Sequence, residues 1–231
     1  MKSIWIDLWE LFFPRHCAVC GCKLQKSEKH ICLSCLQTMF RTNYHLQTDN
    51  PMEKNLWGKI PLGRATALFF YRRENPYVKL LYELKYYGNF RLGVYMGRYM
   101  AICLKDSDFF QGIQLIVPVP LHPDKLRKRG YNQSAKLAEG ISQITGIPVA
   151  TNVIIRQKFT DTQTRKSRIE RWLNVSGIFV CIAPSELEGK HILLVDDVMT
   201  TGATIVSCSD ALAGIPGLRV SVLTLAMVPR H

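Results

Sequence analysis

The segment Ile192 to Ile205, ILLVDDVMTTGATI, constrains this chain more than any other. Its first four residues are apolar, as in a parallel strand buried on both faces. Asp196 and Asp197 follow. Next comes a loop of small residues: Thr200, Thr201, Gly202, Ala203 and Thr204. Ile205, Val206, Ala211 and Leu212 then carry helical spacing. Backbone N–H groups of such a loop, with the helix N-terminus behind them, form a concave site for one phosphate. Gly202 lets the backbone approach closely, and the threonine hydroxyls add donors. The two acids repel phosphate but suit vicinal hydroxyls, or a Mg²⁺ that bridges to the ligand. A ligand with a phosphate at one end and a sugar diol beside it satisfies both halves. A plain helix cap needs one Asp or Thr, not this whole string.

The string resembles the signature of the type I phosphoribosyltransferases, which bind phosphoribosyl pyrophosphate (PRPP). In that family the acidic pair holds the ribose hydroxyls and the loop holds the 5-phosphate. The resemblance implies an α/β fold: a phosphoribosyltransferase type I-like open parallel sheet with a hood. It also implies that PRPP, with Mg²⁺, is held by Asp196, Asp197, Thr200, Thr201, Gly202, Ala203 and Thr204.

A length of 231 residues allows one large domain, or one domain plus a small module, and 47% apolar residues suffice for a core. Eight cysteines without a secretory leader argue for a reducing, cytoplasmic setting, where clustered cysteines point to metal before disulfides. Cys17-x-x-Cys20-Gly21 is separated from Cys32-x-x-Cys35 by an interval of eleven residues. Two such pairs can place four thiolates tetrahedrally around a structural Zn²⁺. Cys22, His16 and His30 are nearby spares, while Cys103, Cys181 and Cys208 sit in core-like surroundings. Ahead of the knuckles, Trp5, Leu8, Trp9 and Phe12 share one helical face that Pro14 closes. That stretch is too short to span a bilayer and carries Asp7 and Glu10, which leaves a helix packed on its own protein, the favoured reading, or one lying on a membrane surface. Residues 41–64 lack periodicity, and Asp49-Asn50-Pro51 and Leu56-Trp57-Gly58 read as loop. The organisation is therefore an N-terminal helix and zinc-binding module over 1–50, a linker over 51–64, and a phosphoribosyltransferase-like domain over 65–231.

Within that domain the pattern gives a strand over Ala65–Tyr71 and a helix from Pro76 to the Gly88-Asn89 break. A second helix spans Leu92–Leu104, and a strand follows at Ile113–Val119. A basic loop over 121–133 leads into a helix with an apolar face at Ala135, Leu137, Ala138, Ile141 and Ile144. Strands at Asn152–Arg156 and Val175–Val180 bracket a polar, basic stretch, and Arg219–Val228 is the last strand. The basic loop and the 196–204 loop should both leave the carboxyl edge of the sheet, where open parallel sheets bind ligands.

The basic segment reads PVPL-H-P-x-x-x-R-x-R-G-Y-N-Q. With the cysteine knuckles before it and the acidic loop after it, the chain resembles the ComF family, which includes the ComF/ComFC competence proteins and GntX-like proteins. This implies a phosphoribosyltransferase-like domain behind a zinc module. It also implies handling of incoming single-stranded DNA in natural transformation. Residues 157–168 resemble the hood loop that closes over PRPP; Gln163 and Arg171-Trp172-Leu173-Asn174 match its pattern, and Thr162 replaces a common proline.

Net charge is +12, and residues 121–173 hold 11 Lys and Arg against 4 Asp and Glu, so +7 lies in that segment. Such a field suits a pyrophosphate or a nucleic-acid backbone. Arg127 or Arg129 is placed to offset pyrophosphate charge. Arg127, Lys128, Arg129, Tyr131, Arg168 and Arg171 are the nucleic-acid candidates; Phe159 and Trp172 are aromatics interleaved with the cations. Asp197 is the one residue that presents itself as a general base, or it is only a ribose or Mg²⁺ ligand. Three readings follow: a PRPP-binding protein that handles single-stranded DNA in peripheral contact with the uptake machinery, an active phosphoribosyltransferase acting on a base or amine, and a PRPP-sensing regulator.

Overall fold

Four parallel strands form the centre of the computed structural model, which describes residues 14–157 and 178–229. Their spatial order is β1 (Leu62–Phe70), β6 (Arg219–Met227), β5 (His191–Met199) and β2 (Leu115–Pro118). Every neighbouring pair is parallel, with Val195 opposite Leu223 on one side and Pro118 on the other. Alternation sends successive residues to opposite faces. Leu193, Val195, Leu223, Leu225 and Ile116 join one core cluster, and Ile192, Leu194, Val220, Val222 and Val117 join the other. Burial on both faces is why these strands read as continuous apolar runs.

Helices cover both faces. On the first lie α3 (Val78–Tyr86), α4 (Phe90–Leu104) and α6 (Gln133–Thr145), together with the cysteine-rich segment and its short helix α1 (Leu33–Gln37). On the second lie α2 (Pro51–Leu56) and α7 (Ala203–Asp210). The α4–α6 crossing is close because both helices carry a glycine there. A Cβ on Gly97 would stand 2.1 Å from the Leu137 carbonyl oxygen, and one on Gly140 2.1 Å from that of Val94. That contact seats the N-terminus of α6 at the carboxyl edge of the sheet.

Three elements differ from the sequence reading. The basic loop is in part a helix, α5 (Pro123–Arg129). Its signals are local: His122 accepts from the Asp124 N–H, Pro123 opens the first turn, Asp124 sits at the positive end, and Arg127, Lys128 and Arg129 sit at the negative end. Gly130 ends it at φ 81°. The stretch 51–64 is not a spacer. It holds α2 and the start of β1, with Met52 and Leu56 fully buried. Asn50 and Glu53 form a capping box, and the Asn50 amide donates to the Tyr44, Gln47 and Ala65 carbonyls. Polar side chains rather than an apolar stripe define this helix, which is why periodicity missed it. Finally, β5 runs on through Asp196 and Asp197 to Met199, so the acids belong to the strand and not to a loop after it.

A two-stranded antiparallel ribbon, β3 (Ile154–Arg156) and β4 (Phe179–Cys181), lies apart from the main sheet and flanks residues 158–177. The N-terminal helix expected over 4–13 and the hood loop, including Phe159, Gln163, Arg168, Arg171 and Trp172, lie outside the described residues.

Candidate functional site

Parallel strands place all their carboxyl ends at one edge, and there the termini of β2 and β5 open onto a cavity of about 320 Å³. Pro120 and Leu121 come from the end of β2, Asp196 and Asp197 from β5, and Thr200 and Thr204 from the turn into α7. Lys85 and Tyr86 come from α3, Lys125 and Arg129 from α5, Gln133 and Ser134 from α6, and Arg156 from β3. The site is thus assembled from seven elements.

The two acids are held differently. The Asp196 carboxylate accepts from the Ser134 hydroxyl at 3.0 Å and from the Asp197 N–H at 2.8 Å. Burial, then the neighbouring Asp197 charge, pushes the Asp196 carboxyl up to about 7. Asp197 is 7% exposed; its Oδ2 is 3.1 Å from the Lys85 ammonium and accepts from the Gln133 amide at 3.3 Å. Adjacent carboxylates therefore share the cavity by unequal means, one close to a counter-ion and the other close to protonation. Lys125, Arg129 and Arg156 line the same cavity. The Arg129 Nη1 and Arg156 Nε atoms are buried without a hydrogen-bond partner among the described residues. Buried guanidinium nitrogens left unpaired are costly in a finished protein, and anionic oxygens would satisfy them.

The anion loop follows from its residues. Gly202 adopts φ 85° and starts α7 without a side-chain cap, while the Ala203 N–H donates to the Thr201 hydroxyl at 3.3 Å. A Cβ on Gly202 would meet Met199 Cε at 3.2 Å and Leu56 Cδ2 at 3.4 Å, so this turn leans on α2. Thr200 and Thr204 line the cavity; Thr201, Gly202 and Ala203 form the turn between them.

Other expected residues are placed apart. Arg127 points away, 76% exposed at its side chain and 2.9 Å from Asp124. Lys128 lies on the outer side of α5, on an adjoining groove. Tyr131 is a packing residue: its hydroxyl donates to the Leu84 carbonyl at 2.6 Å and its ring meets Phe90 edge-on. The sequence reading passed over Lys85, Gln133, Ser134 and Arg156 as site residues. Gln133 and Ser134 carried a weak signal, standing directly after the Gly130-Tyr131-Asn132 turn. Lys85 and Arg156 carried none, because each reaches the cavity from an element distant in sequence.

The cysteine knuckles form a second cluster. The sulfurs of Cys17, Cys20, Cys22 and Cys32 all lie within 4.8 Å of one another. Thiolates around a tetrahedral Zn²⁺ at ~2.3 Å stand about 3.8 Å apart, and Cys20 and Cys32 are 3.8 Å apart. Backbone N–H groups of Val19 and Cys32 already donate to the Cys17 sulfur. Thiolate ligands accept such bonds, so the donor set fits a zinc ion. The expected ligand set was Cys17, Cys20, Cys32 and Cys35. Cys22 takes a place in the compact group because Gly21, at φ 77°, turns the chain back, and the Cys17 N–H donates to the Cys22 carbonyl. Cys35 also adjoins the group: its thiol is in hydrogen-bond contact with the Cys32, Cys20 and Cys17 sulfurs, and its N–H donates to the Cys32 sulfur, so Cys22 and Cys35 compete for the fourth place. The Cys22 backbone N–H, then its thiol, draws the Cys20 thiol down to about 6, while Cys20 pushes the Cys22 thiol up to about 12.

Comparison with known proteins agrees with this architecture. Residues 127–230 match the family described as phosphoribosyl transferase domain. That range contains the acidic pair, the Thr200–Thr204 turn and most of the cavity wall, so a phosphoribosyl transferase domain is matched over the part of the chain that builds the cavity. Over most of its length the chain is also similar to proteins named for competence and DNA utilization. It is 27% identical to competence protein F of Haemophilus influenzae over 93% of this chain and 85% of that protein. It is 27% identical to the DNA utilization protein YhgH of Escherichia coli K12, covering 85% of this chain and 83% of the other. To the competence protein ComFC of Streptococcus pneumoniae it is 27% identical over 82% of this chain and 77% of that one. Among the described residues no helix is long and apolar enough to cross a membrane.

Proposed function

We propose that this chain binds PRPP or a related phosphosugar in the carboxyl-edge cavity and serves the uptake of DNA, handling it as a single strand in the cytoplasm. One observation carries the ligand assignment: paired carboxylates and buried guanidinium nitrogens without a partner among the described residues line the same cavity. A sugar diol is recognised by the carboxylates and a diphosphate by the guanidinium groups. Asp196 and Asp197 hold the ribose hydroxyls, the turn from Thr200 to Thr204 takes the 5-phosphate, and Arg129 and Arg156 take the diphosphate. The carboxylate oxygens also suit Mg²⁺, which when bound neutralises diphosphate charge. The DNA role draws on the relatives named for competence and DNA utilization.

A second reading, transfer of ribose 5-phosphate to a base or amine, is favoured by the matched transferase domain. In that reading Asp197, held by Lys85 and Gln133, is the residue nearest the reacting sugar. A regulator that senses PRPP would bind it without turnover.

Titration calorimetry with PRPP and Mg²⁺ on the full chain tests the assignment. The double substitution Asp196→Asn, Asp197→Asn should abolish binding with the fold retained, and an unchanged affinity would refute it. Release of pyrophosphate on adding bases or amines separates the transferase from the binding protein.

A further inference from the structure

Three cavities meet at the carboxyl end of α3, and Lys85 and Tyr86 border all of them. The first is the carboxyl-edge cavity. The second, of about 270 Å³, has a floor of Val78, Leu81 and Val198 and a rim formed by Tyr82 and Tyr86. The third, of about 420 Å³, is lined by Lys85, Tyr86, Gly88, Lys125, Lys128 and Arg129, with no acidic residue among them.

The helix explains this arrangement. Leu80, Leu81 and Leu84 bury one face of α3 in the core. Tyr82 and Tyr86, four residues apart, must then share the outward face. They are 50% and 69% exposed, and their ring centroids are 5.9 Å apart at 31°. Tyr87 continues the stripe at 73% exposure. Large aromatic side chains seldom stand this open in a row without a partner. Aromatic faces beside a cation-lined groove are the arrangement that binds single strands, rings taking bases and cations taking phosphates. An aromatic floor without cations would suit an apolar peptide, and cations without aromatics would suit any polyanion. Here both lie side by side along one helix.

We infer that Tyr82 and Tyr86 form a base-stacking site for single-stranded nucleic acid, whose backbone follows the Lys125, Lys128 and Arg129 groove. This rests on the reading that the chain handles single-stranded DNA, and it moves the stacking residues from the segment 131–172 to α3. Tyr131 is unavailable for this role because its ring and hydroxyl are engaged by Phe90 and Leu84.

The test is fluorescence anisotropy on the full chain, with a short oligothymidylate and an abasic strand of equal length. Tyr82→Ala and Tyr86→Ala should each weaken the oligothymidylate by about fivefold or more and leave the abasic strand unaffected. Tyr82→Phe and Tyr86→Phe should keep wild-type affinity, which separates stacking from loss of a hydroxyl. Both tyrosines are exposed, and circular dichroism checks that the fold persists. Lys125→Ala and Lys128→Ala should each lower the salt slope by about 0.7. Oligothymidylate binding by the alanine variants equal to wild type would overturn the inference and leave the DNA reading standing. So would an abasic strand held as tightly by wild type as oligothymidylate. Failure of wild type to bind either strand would overturn both.

Discussion

The cysteine cluster and the carboxyl-edge cavity are built in opposite ways. The four clustered sulfurs come from sixteen consecutive residues, Cys17 to Cys32, and are gathered by local turns. The cavity draws Lys85, Arg129, Gln133, Arg156 and Asp196 from separate elements spread over more than a hundred residues. Yet the cluster is no independent appendage: Val19, Ile31 and Cys35 share one core with Leu92, Met96 and Met100 of α4, and the Tyr77 hydroxyl donates to the Cys35 carbonyl at 2.7 Å. A locally formed unit thus props the helix whose crossing with α6 positions half of the distant cavity. The lesson is that spacing along the chain can reveal a site made by turns, but only part of a site made by topology.

Metal removal probes this contrast hardest. One zinc per chain is expected, and stripping it should cost several kcal/mol, lowering Tm by roughly 10 °C or more. A melting curve indifferent to chelator, with no zinc by elemental analysis, would dissolve the comparison. Next is Gly97→Ala at the α4–α6 crossing, which should destabilise by about 1–3 kcal/mol and weaken phosphosugar binding as Gln133 and Ser134 shift. If affinity holds while Tm falls, α6 does not position the cavity. Third, Arg129→Ala should weaken PRPP by about tenfold, in the range for a charged hydrogen bond, whereas Arg127→Ala should leave it unaltered. Equal losses would show that the chain end of α5 acts as a diffuse field.

Proton linkage gives a fourth handle. The Asp196 pKa is raised in the folded state, to about 7. The native chain therefore keeps a proton that the unfolded chain has released, and this group's contribution to stability declines as pH rises from about 4 to about 7. Ligand binding that needs the carboxylate runs the other way and should strengthen as pH rises through about 7. Calorimetry at pH about 6 and about 8 in two buffers reads both the affinity and the proton released; a flat profile removes Asp196 from the ligand set. A last test concerns ligand choice at the zinc site, where loss of a ligand repeats the cost of stripping the metal. Cys22→Ser should lose the metal and Cys35→Ser should keep it, and the reverse result would restore the pair read from spacing.

Much of this was legible beforehand. β5, β6, β1, α3, α4 and α6 all fall where apolar periodicity places them, because each buries a regular face. The turn from Thr200 to Thr204 was legible because small residues and a glycine in that order leave a strand and open a helix. Helix α5 was missed although His122, Pro123, Asp124 and Gly130 spell its caps, since a run of cations reads as solvated loop. Helix α2 was missed because its start depends on Asn50 and Glu53 reaching across to Ala65 and Arg64, contacts that no window of sequence contains.

By itself, then, the order of residues settled the parallel sheet, two adjacent acids ahead of a turn of small residues, and the gathering of cysteines near the amino end. Each is a property of neighbours in the chain, expressed through burial period, turn chemistry and short spacing. Only the folded molecule decided that Lys85 neutralises Asp197, that Arg156 and Asp196 line one cavity, that Arg127 turns outward while Arg129 turns in, and that two tyrosines of α3 stand open beside a cationic groove. Those pairings depend on which helix end the sheet brings to its carboxyl edge, and that is set by packing among distant segments, which no local pattern encodes.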